Sequence, residues 1–318
     1  MPAGNDMIRI EKITSELFPT LYSGFLHDDD PLSDEQDWRN VFDYAWDTGE
    51  GHCGYAMLDD DELVGMMGMV FSERQIAGTC QKFCNLHTWW VREDYRGHSL
   101  LLLRPVLQLR DYTVTHFTPC DRIRAVTKRI GFEELDLQLK ILLPVRLSSR
   151  GGKDCEIWDD PERIRRQLPE DQERILQDHL PYRCGHLLVS EGGEQCYLLY
   201  AYVVRHRLAY CHIHYVSNRE LFLRHERTVR AALHRRHRAW FTAVDQRLFP
   251  DVKFHASVRS WTPSHALFKS SEVTPEHIDH LYSDVTFLRL TVLPDMSYEL
   301  SQMARRLWSR ERSQAAST

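Results

Sequence analysis

Apolar positions along this chain fall in short runs and alternations, each broken by polar turns. Met7 to Ile13 reads as a strand with Ile8, Ile10 and Ile13 as its apolar positions. A helical segment follows from about Thr14, and the acidic stretch HDDDPLSDEQD leads to a second helix. There Trp38, Val41, Phe42, Ala45 and Trp46 recur at helical spacing, a face that predicts packing on a sheet. CGYAMLD, DDDE and LVGMMGMVFS read as strand, turn and strand of a hairpin. The turn at Ala77-Gly78 opens the next strand, FCNLHTWWV from Phe83, which runs into REDYRGHS and the helix-like LLLLRPVLQL. A strand (YTVTHF) and a polar helix (CDRIRAVTKRI) bring the chain to Gly131-Phe132. EELDLQLKILLPV then alternates as the closing strand or strands of the same sheet. The order β-α-α-β-β-β-α-β-α-β predicts a mixed α/β layer built on one core.

RLSSRGGKD, residues 146–154, is a polar Gly/Ser-rich break and the expected linker between a domain at 1–145 and a second at 155–318. Beyond it the order of elements repeats. CGYAMLDDDELVGMMGMVFSER from Cys53 aligns with CGHLLVSEGGEQCYLLYAYVVRHR from Cys184, and LHTWWV with IHYV. HSLLLLRPVLQL aligns with ERTVRAALHRRH, and TVTHFTPCDRI with WFTAVDQRLFP. The halves differ at one place. Where the first has Tyr95-Arg96-Gly97-His98-Ser99, the second has Glu220-Leu221-Phe222-Leu223-Arg224, whose side chains bar a close approach by phosphate. The second half is therefore expected to complete the fold and wall the first half's cleft, with a basic helix, ELSQMARRLWSRER, closing the chain.

A strand that stops at a basic, Gly-containing turn and restarts as a helix can gather phosphate oxygens on backbone N–H groups. VREDYRGHSLL, from Val91 to Leu101, with KRIGF after the next helix, resembles the GNAT superfamily of acyl-CoA-dependent N-acyltransferases. The resemblance covers roughly residues 7 to 145 and, more faintly, the second half. It implies tandem GNAT-like mixed sheets flanked by helices, an α/β architecture. It also implies that Arg96, Gly97, His98, Ser99, Leu100 and Leu101 seat the pyrophosphate of acetyl-CoA or another acyl-CoA. The pantetheine arm would pair with the strand His87 to Val91, touching Trp89, Trp90 and Val91, in a gap beside the next strand. The chain departs from the family pattern at Ser99 and Leu101, where glycines are usual, and at Thr127, where a tyrosine acid is usual. Pro105 is also foreign to the interior of a helix.

The reaction so implied is direct attack of an amine on the thioester, with a small-molecule amine as acceptor. It needs a base or water relay for the amine and a donor for the oxyanion, for which a backbone N–H near Trp89 and Trp90 is the candidate. His87 is the candidate base by its place on the strand and its ordinary pKa, and Asn85 shares its face. Adjacent strand residues face opposite ways, so one of Trp89 and Trp90 at most is expected to line the cleft. Cys120 lacks an evident base and reads as an ordinary thiol.

Composition narrows the alternatives. The 318 residues are 42% hydrophobic and 27% charged, with a net charge of −6, so no whole-molecule field recruits nucleic acid. The basic helix near 219–238 presents Arg224, Arg227, Arg235, Arg236 and Arg238. It is a weaker candidate for phosphate-backbone binding than for a solvated face, since Leu223, Val229, Ala232 and Leu233 can pack beneath it. No apolar run approaches the roughly 20 residues of a membrane span, and the first residues lack a signal-peptide core, so a cytoplasmic protein is expected. Eight cysteines without a CxxC pair suggest free thiols and no metal. A monomer with an internal pseudo-dimer, or a homodimer, is the expected assembly. The competing expectation is a non-catalytic binding module of the same fold.

Overall fold

The computed structural model of the chain describes residues 8–29, 33–145, 155–205, 208–261, 265–288, 292–298 and 301. The expected linker at 146–154 and, Ser301 apart, the expected C-terminal helix at 299–312 lie outside the described residues.

The strands are β1 (Arg9–Lys12), β2 (Gly54–Asp59), β3 (Glu62–Ile76), β4 (Thr79–Val91), β5 (Tyr112–His116), β6 (Glu133–Leu135) and β7 (Gln138–Leu142). They continue as β8 (Cys155–Trp158), β9 (Cys184–Glu191), β10 (Glu194–Arg205), β11 (Leu208–Val216), β12 (Phe241–Asp245), β13 (Ser257–Trp261) and β14 (Ala266–Lys269). They form two seven-stranded sheets, β1-β2-β3-β4-β5-β14-β6 and β13-β7-β12-β11-β10-β9-β8. Read from the opposite edge, the second sheet repeats the order of the first, and in both the fourth and fifth strands are parallel. Two mixed sheets flanked by helices are the architecture the sequence predicts.

The closing strands depart from the expectation. EELDLQLKILLPV does not close a single sheet: β6 pairs with β14 in the first, whereas β7 lies between β12 and β13 in the second. The halves exchange their penultimate strands, and alternation alone cannot register this because β7 is equally amphipathic in either sheet.

Helix α1 (Glu35–Phe42) begins with a capping box: the Asp34 carboxylate accepts from Asp37 N–H at 3.0 Å and the Asp37 carboxylate from Asp34 N–H at 3.1 Å. The predicted apolar face stops at Phe42. Trp46 enters the core from a non-helical segment, its indole N–H donating to the Phe71 carbonyl at 2.8 Å. The long helix expected after β4 is also replaced. Glu93–Leu102 is a 3₁₀ segment, followed by one helical turn at Leu103–Val106. Gly97 and Ser99 favour helix weakly, and Pro105 removes the N–H that a continuing helix would use.

Helix α2 (Asp121–Lys128) follows β5, α3 (Glu170–His179) packs between the sheets, and α4 (Arg219–His237) covers the second sheet. A shared apolar cluster joins Trp38, Met66, Leu176, Leu188, Leu199 and Phe287, so both halves contribute to one core. The basic helix α4 is ion-paired along its length: Arg224 meets Glu191 and Glu194, and Arg236 meets Asp159. Arg230, wholly buried, binds Glu226 at 2.9 Å and the carbonyls of Leu143 and His255.

Candidate functional site

β4 and β5 pair over only four residues, Lys82–Asn85 against Tyr112–Thr115. Beyond Asn85 no described strand lies beside β4 on that side, so the strands part and residues 86 to 91 have no strand partner there. The other edge of β4 is irregular at the same level. Met66 pairs with Trp90 and Gly68 with His87, which leaves an extra residue on β4, and Thr88 takes φ +48°. A β-branched residue with positive φ stores strain of about 1–3 kcal/mol and re-aims the main chain around it.

Two connected hollows occupy the gap. The outer groove, about 300 Å³, runs between β4 and α2. Trp89, Trp90 and Val91 form one wall, Ile123 and Val126 the other, and Arg96, Ser99, Leu100 and Arg122 the mouth. Of the residues expected to seat the pyrophosphate, Arg96, Ser99 and Leu100 thus lie on the groove. Gly97 stands beside them with open space where a Cβ would go, His98 is exposed, and Leu101 turns towards the core. Arg96 is held by Glu93 at 3.0 Å, while Arg122 has no ion pair among the described residues. Both tryptophans border the groove, although Trp90 also stacks on Phe25 at 4.4 Å. The bulge relaxes the strict alternation behind the expectation that at most one would do so.

The inner cavity, about 200 Å³, shares Trp89, Cys120 and Ile123 with the groove and ends among His87, His116, Thr118 and Asp284. His87 is 1% exposed; its Nδ1 lies 3.0 Å from the Thr88 hydroxyl and its Nε2 has no hydrogen-bond partner among the described residues. Burial, with His116 nearby, pushes its pKa down to about 3, and burial pushes that of His116 down to about 4. Both rings are neutral at physiological pH. The Nδ1 of His116 and Oδ1 of Asp284 are likewise buried without partners. Three orphaned polar atoms around one cavity are a costly arrangement that a polar occupant would relieve.

Asp284 begins the short helix α5 (Asp284–Phe287). Its N–H donates to Asn85 Oδ1 at 2.9 Å, Asn85 donates to Thr115 at 3.2 Å, and the Thr118 hydroxyl donates to Asp284 Oδ2 at 3.0 Å. Asn85 therefore joins β4, β5 and the second half where the strands part. Burial pushes the Asp284 carboxyl up to about 7, with the Thr118 hydrogen bond pulling the other way. Thr127 is buried, its hydroxyl donating to the Ile123 carbonyl at 2.9 Å, and does not reach the groove. No group of His, Cys, Asp or Glu among the described residues is arranged to hold a metal ion.

Gly68 is the floor under His87: a methyl there would come within 2.1 to 2.6 Å of three imidazole atoms. Gly68→Ala should displace that ring, cost about 1–3 kcal/mol in urea unfolding and lower the melting temperature by several degrees. An unchanged midpoint would show that the ring does not rest there.

Residues 10–100 match the acetyltransferase (GNAT) family. The chain has the GNAT fold. A GCN5-related N-acetyltransferase from Kribbella flavida aligns with TM-score 0.55 at 14% identity, over 84% of this chain and 72% of its own. A probable N-acyltransferase from Enterococcus faecalis V583 aligns at 0.54 and 11% identity, over 82% and 72%. A putative acetyltransferase from Pyrococcus horikoshii aligns at 0.53 and 12%, over 89% and 95%. No curated protein matches the chain. At these identities the likeness is one of fold. No helix among the described residues of this GNAT-fold chain is long and apolar enough to cross a membrane.

Arg122 and Asp284 had not been singled out from the sequence. Arg122 sits in a helix rich in arginine, and nothing local marks it. Asp284 acts across 199 positions of sequence, on Asn85, and carries no motif.

Proposed function

We propose that this chain moves an acyl group, acetyl first among the candidates, from acyl-CoA to an amine of a small acceptor by direct attack on the thioester. The observation that carries this reading is the free edge of β4 from Leu86 to Val91, beside a groove that leads from two arginines at its mouth to a polar cavity at its end. An unpaired strand edge can take an amide-containing arm as a further strand, with hydrogen bonds the sheet leaves unmade. Arg96 and Arg122 would face the pyrophosphate, and Trp89, Val91, Ile123 and Val126 the apolar parts of the arm. The bulge at Thr88 lies where the thioester carbonyl would rest, and a main-chain N–H freed there would stabilise the oxyanion. With Thr127 turned away, the thiolate would leave without a tyrosine acid, which its low proton affinity permits.

Calorimetric titration with acetyl-CoA and desulfo-CoA tests the reading. Saturable binding is expected, weakened about tenfold or more in Gly97→Trp, whose ring would fill the open space at the mouth. The melting temperature of that variant should not change. Absence of binding to the parent protein would sink acyl transfer and leave the non-catalytic module.

A further inference from the structure

We propose that the second half supplies the general base of the reaction, Asp284, so that the acceptor end of the site is built jointly by the two halves of the chain. This inference rests on the acyl-transfer reading above and names the residue that reading lacks. Three observations carry it. Asp284 is 1% exposed yet lines the inner cavity, in common with Trp89 and Cys120 of the groove wall. Its Oδ1 has no hydrogen-bond partner among the described residues, while Oδ2 is held by Thr118 and its N–H by Asn85, so the carboxyl is fixed with one oxygen left over. Its position is set from the strands that part to form the groove, since Asn85 and Thr115 are the last paired residues of β4 and β5.

A base must sit within reach of the proton it takes and have an affinity suited to neutral pH. Burial brings Asp284 to about 7, whereas His87 at about 3 is a poor acceptor for the proton of an ammonium. The titratable groups that share the cavity with Asp284 are Asp29, His87, His116 and Cys120, and no Lys or Arg among the described residues lines it. A carboxylate held there unpaired is compensated best by a cationic acceptor, an alkylammonium head.

The proton balance is simple. Asp284 carboxylate takes one proton from R–NH₃⁺; the neutral nitrogen attacks the thioester carbonyl, forming the C–N bond. The C–S bond then breaks, the thiolate takes the second N–H proton to become CoA–SH, and Asp284 returns its own proton to solvent.

The test uses the full chain with acetyl-CoA and a panel of primary-amine probes (spermidine, benzylamine, glycinamide), following free thiol. In the parent, kcat should rise with pH through a limb near 7. Asp284→Asn should lose that limb and fall about a hundredfold or more in kcat, within the usual range for a lost general base. Its acetyl-CoA affinity by calorimetry should stay within a factor of about two. His87→Gln should keep the limb. A carboxyl infrared band titrating near pH 7 in the parent and missing from Asp284→Asn is the matching signature without turnover. If acetyl-CoA binds and Asp284→Asn is as fast as the parent or keeps the limb, the base role is overturned and acyl transfer stands. If acetyl-CoA binds and no probe is acylated, or the band titrates below about 5, the base role is overturned too. If acetyl-CoA does not bind, both readings fall together.

Discussion

Acidification should unfold this protein abruptly near pH 5, with uptake of about six protons, an estimate from linkage and ordinary domain stability. Seven histidines are buried with depressed pKa values: His87, His116, His179, His186 and His212 at about 3 to 4, and His214 and His280 well below the ordinary imidazole value. In each, burial is the leading cause. In the unfolded chain each would titrate near 6.5. Above that pH both states are neutral and the histidines have no effect. Below it the unfolded chain binds protons that the fold refuses, so stability falls with pH by about 1.4 kcal/mol per unit for each ring. Asp284 acts in the opposite sense. Its folded carboxyl, at about 7, holds a proton that the unfolded chain would release down to its ordinary value, which offsets one of the seven.

A stability of about 5–15 kcal/mol cannot survive six such slopes for more than one or two pH units. Circular dichroism against pH, with the proton number taken from the slope of log K, checks this. A midpoint below pH 4, or a slope of one or two protons, would mean that the rings are not buried as described. Three of them form one contact, His212, His214 and His280, with ring centroids 4.5 to 5.4 Å apart. His214 Nε2 lies 3.1 Å from His212 Nδ1, and its Nδ1 lies 2.9 Å from the Thr286 hydroxyl. This cluster occupies the second sheet near the end of the β11–β12 pairing, where the first sheet has its cavity.

How far the sequence discloses this molecule depends on the range over which each feature is decided. The β2–β3 hairpin was legible because an apolar alternation broken by Asp59–Asp61 settles strand, turn and face within a few residues. The groove wall was legible for the same reason: the run ending at Val91 and the turn with Gly97 are local. Trp46 was misread as helical because tryptophan at helical spacing looks the same whether the backbone continues or only the side chain returns to the core. The 3₁₀ segment in place of a helix had a visible cause in Pro105, although its effect on the preceding turns depends on packing. The inner cavity was only half legible. His87 and Asn85 stand on β4, but their meaning changes once Asp284 arrives from beyond the second sheet.

The exchange of β7 and β14 was the least legible feature, and it makes the strongest demand on folding. Neither half, 1–145 nor 155–318, should fold alone. Without β14 the first sheet loses the strand that joins β5 to β6, together with buried Ala266, Leu267 and Phe268. Without β7 the second loses buried Leu139, Ile141 and Leu142 between β12 and β13. At roughly 2 kcal/mol for each large side chain, the exchanged strands contribute on the order of 10 kcal/mol, comparable to a whole domain's stability. Each half also ends in open strand edges that favour aggregation. Polar ties run the same way: Arg74 on β3 binds Asp279 through two hydrogen bonds of 2.6 and 2.7 Å in a largely buried pair. Arg230 on α4 is held by Leu143, just beyond β7. Removing one partner of such a pair costs about 3–5 kcal/mol. Each half expressed alone should therefore be insoluble or unfolded. A protease site placed within 146–154 should, after cleavage, leave two fragments that elute as one particle and melt in a single transition. A soluble 1–145 with a cooperative melt of its own would show that the strand exchange is not what holds the first sheet together.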